Sequence, residues 1–366
     1  MKLSDKEWKP FFISSLFQEP KRGKRIVNEN HIKGNTPLVS SAGDNNGVTA
    51  FIGNKEKVRI YEKCLSIANG GASAGRTFYE PFEFIASDHI THCKNEILTE
   101  NQYLALASLL SGKLPEKYSF SREITDYRIS REKIMLPVDE DGEPDFEFLE
   151  KYVETKRNYL INEYTEYAKQ KIQSITYKEI ESIENKDWES FPFVKVFKIK
   201  GGFYNKKPPI ESNGNIPFIG ATENNNGITE FYTMENIEEN SKTGALPNEA
   251  IEKKIFEGNC ICVTNNGSVG FAYYQPYRFT CSHDVNPLYA NGYSMNEYLA
   301  QFLIGAIEKQ KVCFAYVRKW RPKRMVKSKI LLPVNKQGDP DYEYMEQYIK
   351  NIMVKKYTDY IGYVKK

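Results

Sequence analysis

The chain has 366 residues, of which 40% are hydrophobic and 27% are charged. This composition is typical of a folded protein and excludes an intrinsically disordered chain. The length suits two domains, each large enough to bury its own core. A net charge of +3 is too small to indicate a class of partner, so the distribution of charge has to supply that argument.

The apolar stretches and the cysteines favour a cytoplasmic location. No apolar stretch approaches the roughly 20 residues of a membrane span, and the first residues do not resemble a signal peptide. Of the six cysteines, only Cys260 and Cys262 are closely spaced, and alternation on one strand explains their C-x-C pattern better than a zinc site does. We therefore expect free thiols, no metal ion and no membrane segment.

Taken in order, the chain contains a series of predicted elements that occurs twice. An apolar segment at residues 11–13 precedes a basic loop at residues 21–25, and a predicted strand at 35–39 leads into a turn. That turn, Asn45-Asn46-Gly47, consists of residue types that tolerate positive φ. The same turn sequence, Asn225-Asn226-Gly227, occurs 180 residues later. The repetition predicts a tandem duplication.

Further strands, a glycine-rich turn and a helix follow in each copy. Residues 65–68 and 261–264 are predicted strands, and each leads into a turn rich in asparagine, glycine and serine. Apolar residues at helical spacing then predict a helix near residues 103–110 in copy one and 298–306 in copy two. Copy two holds extra residues around 234–248, which we expect to form a surface loop.

Each copy closes with the same unit. Lys133-Ile134-Met135-Leu136-Pro137-Val138 is followed by a polar turn and by Pro144-Asp145, and the matching segment starts 196 residues later, at Lys329. The pattern predicts a strand, a turn and a proline at the start of a long helix. The first helix is predicted to run for roughly forty residues, about 60 Å, and the second from Pro340 for about 40 Å. Apolar residues at near-heptad spacing suggest that the two helices pack on each other and relate the copies by a pseudo-twofold axis; single solvated helices are the alternative.

Three segments resemble catalytic motifs, but each lacks part of the required pattern. Asp145 with Glu154 and Lys156 matches the PD…ExK pattern of metal-dependent nucleases, yet these residues fall along a predicted helix and copy two does not keep them. The Asn-Pro-Leu-Tyr segment at residues 286–289 lacks the second proline of the amino-methyltransferase motif. The turn at residues 69–75 lacks the Gly-Lys-Ser/Thr ending of a phosphate-binding loop and precedes a predicted strand.

The histidines indicate no active site either. His89 follows Asp88, whereas His283 precedes Asp284, so the order of the pair is exchanged between the copies. A catalytic pair requires fixed geometry, and structural hydrogen bonding is therefore the favoured role. The sequence predicts no catalytic residue.

The charge distribution instead indicates phosphate contacts. The segment 318–329 contains seven basic residues and no acidic one, with a tryptophan among them. Its copy-one counterpart keeps several arginines but mixes them with acidic residues. A solvated face is the alternative, but recurrence at a domain edge of a duplicated chain favours DNA. In a sequence-specific DNA-binding protein, basic residues position the duplex and loop side chains read base edges. The candidate DNA-binding residues are Lys21, Arg22, Asn45, Asn46, Arg76, Arg122, Arg128, Lys206, Lys207, Asn225, Asn226, Asn266, Arg318, Lys319, Arg321, Lys323 and Arg324.

Four features of the sequence carry a family resemblance. They are the paired Asn-Asn-Gly turns, the segment Thr264-Asn265-Asn266-Gly267-Ser268-Val269-Gly270, the segment 318–322 and both Leu-Pro-Val…Gly-x-Pro-Asp units. Over nearly its whole length the chain resembles the specificity subunits of type I restriction–modification systems and of the related type IIB systems. The resemblance implies an α+β fold in which two tandem β-rich target-recognition domains are each followed by a long helix. It further implies that the helices pack as an antiparallel coiled coil.

The domains expected on this basis are residues 1–144 and 186–339 for target recognition, with spacer helices at 145–185 and 340–366. The resemblance implies recognition of a bipartite, asymmetric DNA target without catalysis by this chain. The implied partners are double-stranded DNA, two methyltransferase subunits that carry S-adenosylmethionine, and a restriction subunit or fused nuclease.

Two other functions are consistent with the same residues. The first is a DNA methyltransferase or nuclease with unrecognised motifs, for which S-adenosylmethionine binding by the isolated chain would be the mark. The second is a duplicated β-rich protein-interaction module, which would keep its partner but show no salt-dependent affinity for duplex DNA.

Overall fold

The computed structural model describes residues 2–210, 213–244, 247–314 and 318–365. The chain forms two compact units, Met1–Tyr164 and Thr165–Lys366. The boundary falls within one long helix, so each unit is described by itself.

The first unit contains most of its strands before residue 94. The strands are β1 (Trp8–Phe12), β2 (Lys21–Arg22), β3 (Lys33–Val39), β4 (Val48–Ile52), β5 (Ile60–Tyr61), β6 (Cys64–Ala68), β7 (Thr77–Glu80), β8 (Phe84–Ala86), β9 (Ile90–Cys93) and β10 (Lys133–Pro137). The helices are α1 (Ile13–Leu16), α2 (Glu100–Lys113), α3 (Asp126–Ser130) and the first part of α4 (Phe146–Ser174).

The second unit repeats this order. Its strands are β11 (Trp188–Pro192), β12 (Phe197–Ile199), β13 (Ile216–Ile219), β14 (Ile228–Tyr232), β15 (Cys260–Thr264), β16 (Ala272–Gln275), β17 (Thr280–Cys281), β18 (Val285–Ala290) and β19 (Lys329–Pro333). Its helices are the end of α4, α5 (Phe193–Val196), α6 (Met234–Glu239), α7 (Glu297–Glu308), α8 (Pro322–Met325) and α9 (Tyr342–Val364).

The described parts of both units have matching sheets. The antiparallel pair β1–β10 has the same register as β11–β19, since Trp8 faces Pro137 and Trp188 faces Pro333. The four-stranded sheet β2-β9-β6-β7 corresponds to β12-β18-β15-β16. The third sheet contains a parallel pair in each unit, β3 with β8 and β13 with β17, and the first unit adds β5 at its edge. The structure thus confirms the predicted duplication, whereas the pairing of β1 with β10 had no signal in the sequence.

The central sheet of each unit is covered by the helix predicted from apolar spacing. In the first unit, Leu65 and Ile67 of β6 belong to one buried cluster with Leu106 and Leu110 of α2. In the second, the corresponding cluster joins β15, α7 and β19 around the fully buried Trp320. Burying each such aliphatic side chain contributes about 1.5–3 kcal/mol, so this layer holds the loops at the sheet ends in place.

The closing unit of each copy differs in one detail from the prediction. Asp145 and Asp341 cap α4 and α9, because their side chains accept hydrogen bonds from the backbone N–H of Phe148 and Tyr344 at 2.8 and 3.1 Å. The preceding prolines therefore lie outside the helices, in bridges to Val138 and Val334, rather than at the first helical position. An N-cap aspartate satisfies an otherwise unpaired helix N–H, which fixes where each helix starts.

Helix α4 is shorter than predicted. It ends at Ser174 after 29 residues, about 44 Å, instead of running on to about residue 183. The next segment is irregular, and side chains of α9 bind its backbone. The Gln347 amide donates to Thr176 O at 2.9 Å, and Asn351 bonds both N and O of Lys178 at 3.2 and 2.6 Å. These bonds replace the helical ones, which explains why the helix stops without proline or glycine.

Within the second unit, the last turns of α4 pack on α9. Ala168, Ile175 and Tyr357 are buried together, and Met353 and Ile361 pack against them. The upstream part of α4 presents several exposed apolar side chains at the positions that the sequence assigned to a seam, among them Leu160 at 63% exposure.

The Cys260 and Cys262 side chains lie on β15, as predicted, but every residue of this strand is buried, so no face alternates with solvent. All six cysteines are free thiols. None of the described helices carries an apolar stretch long enough to cross a membrane.

The prediction of a surface loop for the insertion was wrong for its first six residues, and residues 245–246 lie outside the described residues. Residues 234–239 form α6, in which Asn236 and Ile237 are buried. The buried Lys254 holds this helix, because its Nζ lies 2.7–2.9 Å from the carbonyl oxygens of Ile237, Glu238 and Asn240 and from Oδ1 of Asn248. Carbonyls at a helix C-terminus lack partners within the helix, so an ammonium group there satisfies them and complements the helix dipole.

Replacing Lys254 by Met should test this role. Methionine fills a similar apolar volume but leaves the carbonyl groups without a donor, so we expect the free energy of unfolding to fall by about 2–4 kcal/mol. Urea unfolding followed by circular dichroism measures the change, and proteolysis should increase within residues 234–248. The exposed neighbour Lys253 supplies the control, K253M. Equal stability of the two variants would contradict the proposed role of Lys254.

Candidate nucleic-acid interface

The two Asn-Asn-Gly turns have the backbone conformation that their residue types predict. Asn45 and Asn46 have φ values of 48° and 52°, and Asn225 and Asn226 both have 51°. All four asparagines are exposed. In the second unit the side chain of Asn226 donates to Tyr274 O at 3.1 Å, so this candidate DNA-binding group serves the fold in the unbound chain.

A buried carboxyl group that the sequence analysis missed lies beside the first of these turns. Cys64 pairs with Glu80 in the register in which Cys260 pairs with Gln275. Gln275 donates to Asn226 O at 2.9 Å, whereas Glu80 is fully buried and accepts from Ser66 Oγ at 2.8 Å. Burial raises the pKa of Glu80 to about 7, against the opposing hydrogen bonds of Ser66 and Asn46. Thr77 and Glu80, the two ends of β7, are both buried, and no sequence pattern marks a buried glutamate.

In the second unit, a chain of amide groups joins the predicted reading loop to the basic strip. We use reading loop for residues 69–75 and 265–270, and basic strip for residues 318–324. The side chain of Asn265 donates to Asn286 Oδ1 at 3.0 Å and to His283 O at 3.2 Å. Asn286 in turn donates to Trp320 O at 3.4 Å. Asn266, the candidate in this loop, donates to Asp284 Oδ1 at 3.0 Å.

The first unit makes the corresponding connection with a different residue. Ile124 occupies the place of Trp320, and its N–H donates to Asn69 O at 2.8 Å. The guanidinium of Arg22 donates to Ile124 O and lies 3.9 Å from a carboxylate oxygen of Asp126. Arg22 is half-buried, so this candidate DNA-binding residue holds the segment around Ile124 rather than extending into solvent. Thr91 replaces Asn286, and the buried Asn69 amide has no hydrogen-bond partner among the described residues.

The basic strip is built on a buried anchor. Trp320 is fully buried, stacks on Phe314 with centroids 4.6 Å apart, and donates from Nε1 to Ser328 Oγ at 3.0 Å. A concave surface is lined by Pro322 and by four candidate residues, Lys319, Arg321, Lys323 and Arg324. The fifth candidate, Arg318, is exposed and precedes them in the chain. Arg324 also donates to Lys319 O at 2.7 Å, which shapes the strip. The tryptophan therefore belongs to the core and is not a DNA contact.

The counterpart in the first unit is also exposed but less basic. Arg122 lies 5.3 Å from the Tyr118 ring, and Arg128 donates to Glu123 O at 2.7 Å. Arg76 follows the reading loop and is exposed. Ser41 Oγ donates to Gly70 O at 2.6 Å, which links the Asn-Asn-Gly segment to the reading loop.

The candidate lysines outside the strip occupy other edges. Lys21 is exposed on β2 and lies 3.5 Å from Glu19. Lys206 is exposed beside the insertion, with its backbone N–H bonded to Lys242 O at 3.2 Å. Lys207 lies 3.7 Å from Glu230 and donates to Thr229 Oγ1 at 2.9 Å. Among the described residues, hydrogen bonds join the reading loop to the cationic segment in each unit, and none joins these lysines to the reading loop.

The structure gives no support to the catalytic motifs. Asp145 is committed to the α4 cap and to an ion pair with Lys6 at 2.5 Å, while Glu154 and Lys156 are exposed on α4. His283 has the structural bonds that the sequence favoured, with Nδ1 3.1 Å from Tyr204 O and Nε2 3.2 Å from Asp284 Oδ1. Across the described ranges, no three His, Cys, Asp or Glu side chains are grouped to hold a metal ion.

Comparisons with known proteins point to one family. The profile of the type I restriction modification DNA specificity domain matches residues 5–167 and again residues 185–359. The specificity subunit S.BcgI of a type II restriction enzyme from Heyndrickxia coagulans is 30% identical over 349 residues, which are 94% of each protein. The S subunit of a type I restriction–modification system from M. genitalium is 15% identical, with a TM-score of 0.48 over 100% of this chain and 94% of that one. The HsdS subunit from Thermoanaerobacter tengcongensis is 12% identical, with a TM-score of 0.31 over 96% and 90%.

Replacing Glu80 by Gln should remove a pH dependence of stability. The pKa of Glu80 rises from 4.5 to about 7 on folding, so the folded state binds the proton more tightly and stability falls as pH rises through this window. At pH 8 the E80Q variant should therefore gain about 1–3 kcal/mol in free energy of unfolding, and at pH 4.5 almost nothing. Urea unfolding at both pH values measures this. The exposed Glu83 supplies the control, E83Q, and an unchanged pH dependence in E80Q would contradict the prediction.

Proposed function

The chain belongs to the family of type I restriction–modification DNA specificity domains, and from this premise we propose how its two units act on DNA. It is a DNA specificity subunit of a restriction–modification system. We propose that each unit reads one part of a bipartite, asymmetric target. The observation that carries the proposal is the connected pair of reading loop and basic surface, which occurs once in each unit.

The division of labour follows from the chemistry of the two surfaces. Exposed guanidinium and ammonium groups such as Arg321 and Arg122 suit phosphate oxygens, which fix the register of a protein on a duplex without reading sequence. An exposed amide side chain such as that of Asn45 offers paired donor and acceptor groups, which suit base edges in the major groove. The loops therefore supply sequence preference, and the strips supply affinity.

The two units should read different sequences. They share a scaffold, but the residues that hold the loops differ, with Ile124 and Glu80 in the first unit and Asn286 and Gln275 in the second. Different supporting groups and loop side chains present different hydrogen-bonding patterns. An asymmetric target with two unlike halves is the expected result.

We further propose that α4 and α9 form an antiparallel coiled coil that fixes the gap between the half-sites. The contacts of Ala168 and Ile175 with α9 support it, and so does the order of the contacts, since Tyr167 meets Tyr357 while Lys178 meets Asn351. Under this proposal the target-recognition domains are residues 1–144 and 186–339, and the spacers are residues 145–185 and 340–366. Spacing between readers would then set half-site separation, as it does in dimeric DNA-binding proteins.

Catalysis is assigned to partner subunits. We propose that this chain directs two methyltransferase subunits, which bind S-adenosylmethionine, and a restriction subunit or fused nuclease to the target. The commitment of Asp145 and His283 to structural bonds supports a chain without catalysis of its own. The 30% identity to the specificity subunit of a type II restriction enzyme favours a type II arrangement over a type I complex.

Selection of random duplex DNA by the chain, co-purified with its methyltransferase, tests the proposal. We expect two short, unlike motifs at a fixed gap, because two different readers are held on one spacer. Sequencing of the enriched duplexes measures both motifs and the gap. A single contiguous motif would contradict the two-reader proposal. An absence of enrichment would favour the protein-interaction module.

Removing Arg321 and Arg324 should weaken DNA binding and reduce its salt dependence. Each phosphate contact contributes about 0.9 to the slope of log K against log salt, so R321A/R324A should lower the slope by about 1.8. Titrations of the selected duplex at several salt concentrations measure this. The control K253A/K336A removes two exposed lysines outside the strip. If the affinity and the slope of R321A/R324A match those of the control, the strip is only a solvated face.

A further inference from the structure

Phe120 is the most exposed phenylalanine among the residues that the structure describes, with 78% of its surface accessible. It lies at the tip of a tight turn. Ser119 and Arg122 exchange two backbone hydrogen bonds, at 3.2 and 3.1 Å, which leaves Phe120 and Ser121 as the two residues of the bend. A ring on a two-residue hydrogen-bonded turn has little freedom to fold back onto the protein.

The base of this turn is fixed by a small polar network. Tyr118 is 3% exposed, and its hydroxyl donates to Glu132 Oε1 at 2.6 Å. Lys117 Nζ lies 2.6 Å from the other oxygen of the same carboxylate. The guanidinium of Arg122 covers the Tyr118 ring at 5.3 Å. The turn therefore projects from a fixed base, since its two ends are held by side chains that are themselves paired.

The ring lies against the reading loop of the first unit. A Cβ added at Gly71 would be 3.9 Å from two carbon atoms of the Phe120 ring. Gly71 has a φ of 75°, which favours glycine, and Gly70 is bonded to Ser41. Phe120 thus extends beside the segment whose asparagines and backbone groups are proposed to read bases.

The charges around the projection suit nucleic acid. Arg76, Arg122 and Arg128 are exposed on the segments that flank the reading loop and the turn. The nearby carboxylate of Glu123 lies beside Gly70, 3.1 Å from the position of an added Cβ. Exposure of an apolar ring to water is unfavourable, and a duplex would cover it while the arginines of the flanking segments pair with phosphates.

We propose that Phe120 is an apolar wedge that inserts partly between two base pairs of the half-site read by the first unit. This inference rests on the proposed function. Apolar side chains in DNA-binding proteins unstack a base step in this way, and the loss of stacking is offset by burial of the ring and by closer backbone contacts. The wedge makes the first unit sensitive to the deformability of the step that it enters, so it contributes to sequence choice without a hydrogen bond to a base.

The test uses the chain in complex with its methyltransferase and the duplex obtained by selection. 2-Aminopurine is placed in turn at positions of the first half-site, where unstacking raises its fluorescence. We expect one step at which fluorescence rises with the native chain and not with F120A, whereas a base that the methyltransferase itself flips raises fluorescence equally in both. The dissociation constant of F120A should increase about 10-fold, and the salt slope should stay unchanged because no charge is removed. F120W should restore both the fluorescence rise and the affinity, since it keeps a large ring.

The control is Ile97, which is 90% exposed and lies just before the start of α2. The reading loop lies at the opposite end of this helix, where Gly75 is close to Leu114. The 14 residues of α2 separate the two positions by about 20 Å, so I97A should behave as the native chain does. Thermal unfolding should be unchanged in both variants because neither side chain is packed.

The outcomes separate the failure of this inference from the failure of the proposed function. Native fluorescence and affinity in F120A would overturn the wedge while leaving the two-reader function intact. Weakened binding of the methyltransferase by F120A, with DNA binding unchanged, would also overturn it and place the ring in a protein contact. Absence of sequence-selective binding by the native complex would overturn the proposed function and the wedge together.

Discussion

The carbonyl group of one buried residue organises the candidate interface in each unit. Ile124 and Trp320 are fully buried, so their carbonyl oxygens need a protein donor once water is excluded. Arg22 supplies that donor in the first unit and Asn286 in the second. In the second unit Asn286 also bonds Asn265, and in the first unit the N–H of Ile124 bonds Asn69, so each buried residue links the reading loop to the cationic segment. The rest of each surface is arranged around this bond.

The bond also divides residues by role. Buried groups such as Trp320 and Asn286 hold the geometry, while the side chains of Arg321 and Lys323 remain exposed and free to meet a polyanion. Positioning groups on a rigid scaffold lower the cost of ordering a recognition surface when the ligand binds.

Local chemistry made much of this fold predictable. The positive φ of Asn46 and Asn226, the helices α2 and α7, and the duplication itself follow from residue type, spacing and repetition. The pairing of distant strands could not be predicted in this way, because no residue pattern in β1 specifies β10, 125 residues later, as its partner. The end of α4 at Ser174 depends on Gln347 and Asn351, which lie far away in sequence. Candidate DNA contacts were identified by charge and by amide chemistry, which cannot separate an exposed arginine from Arg22, whose guanidinium is bonded within the protein.

The unlike donors have a consequence for exchanging sequence preference between specificity subunits. A reading loop and its anchor form one transferable module. In the second unit the buried amide of Asn265 is bonded to Asn286, whereas the matching Asn69 in the first unit has Thr91 at that position and no partner among the described residues, so a transferred loop meets a different support. A chimaera therefore needs its boundaries outside β18 and the segment after α7, so that donor, acceptor and loop travel together. Recombination at the level of whole domains keeps that grouping, and transplantation of single loops breaks it.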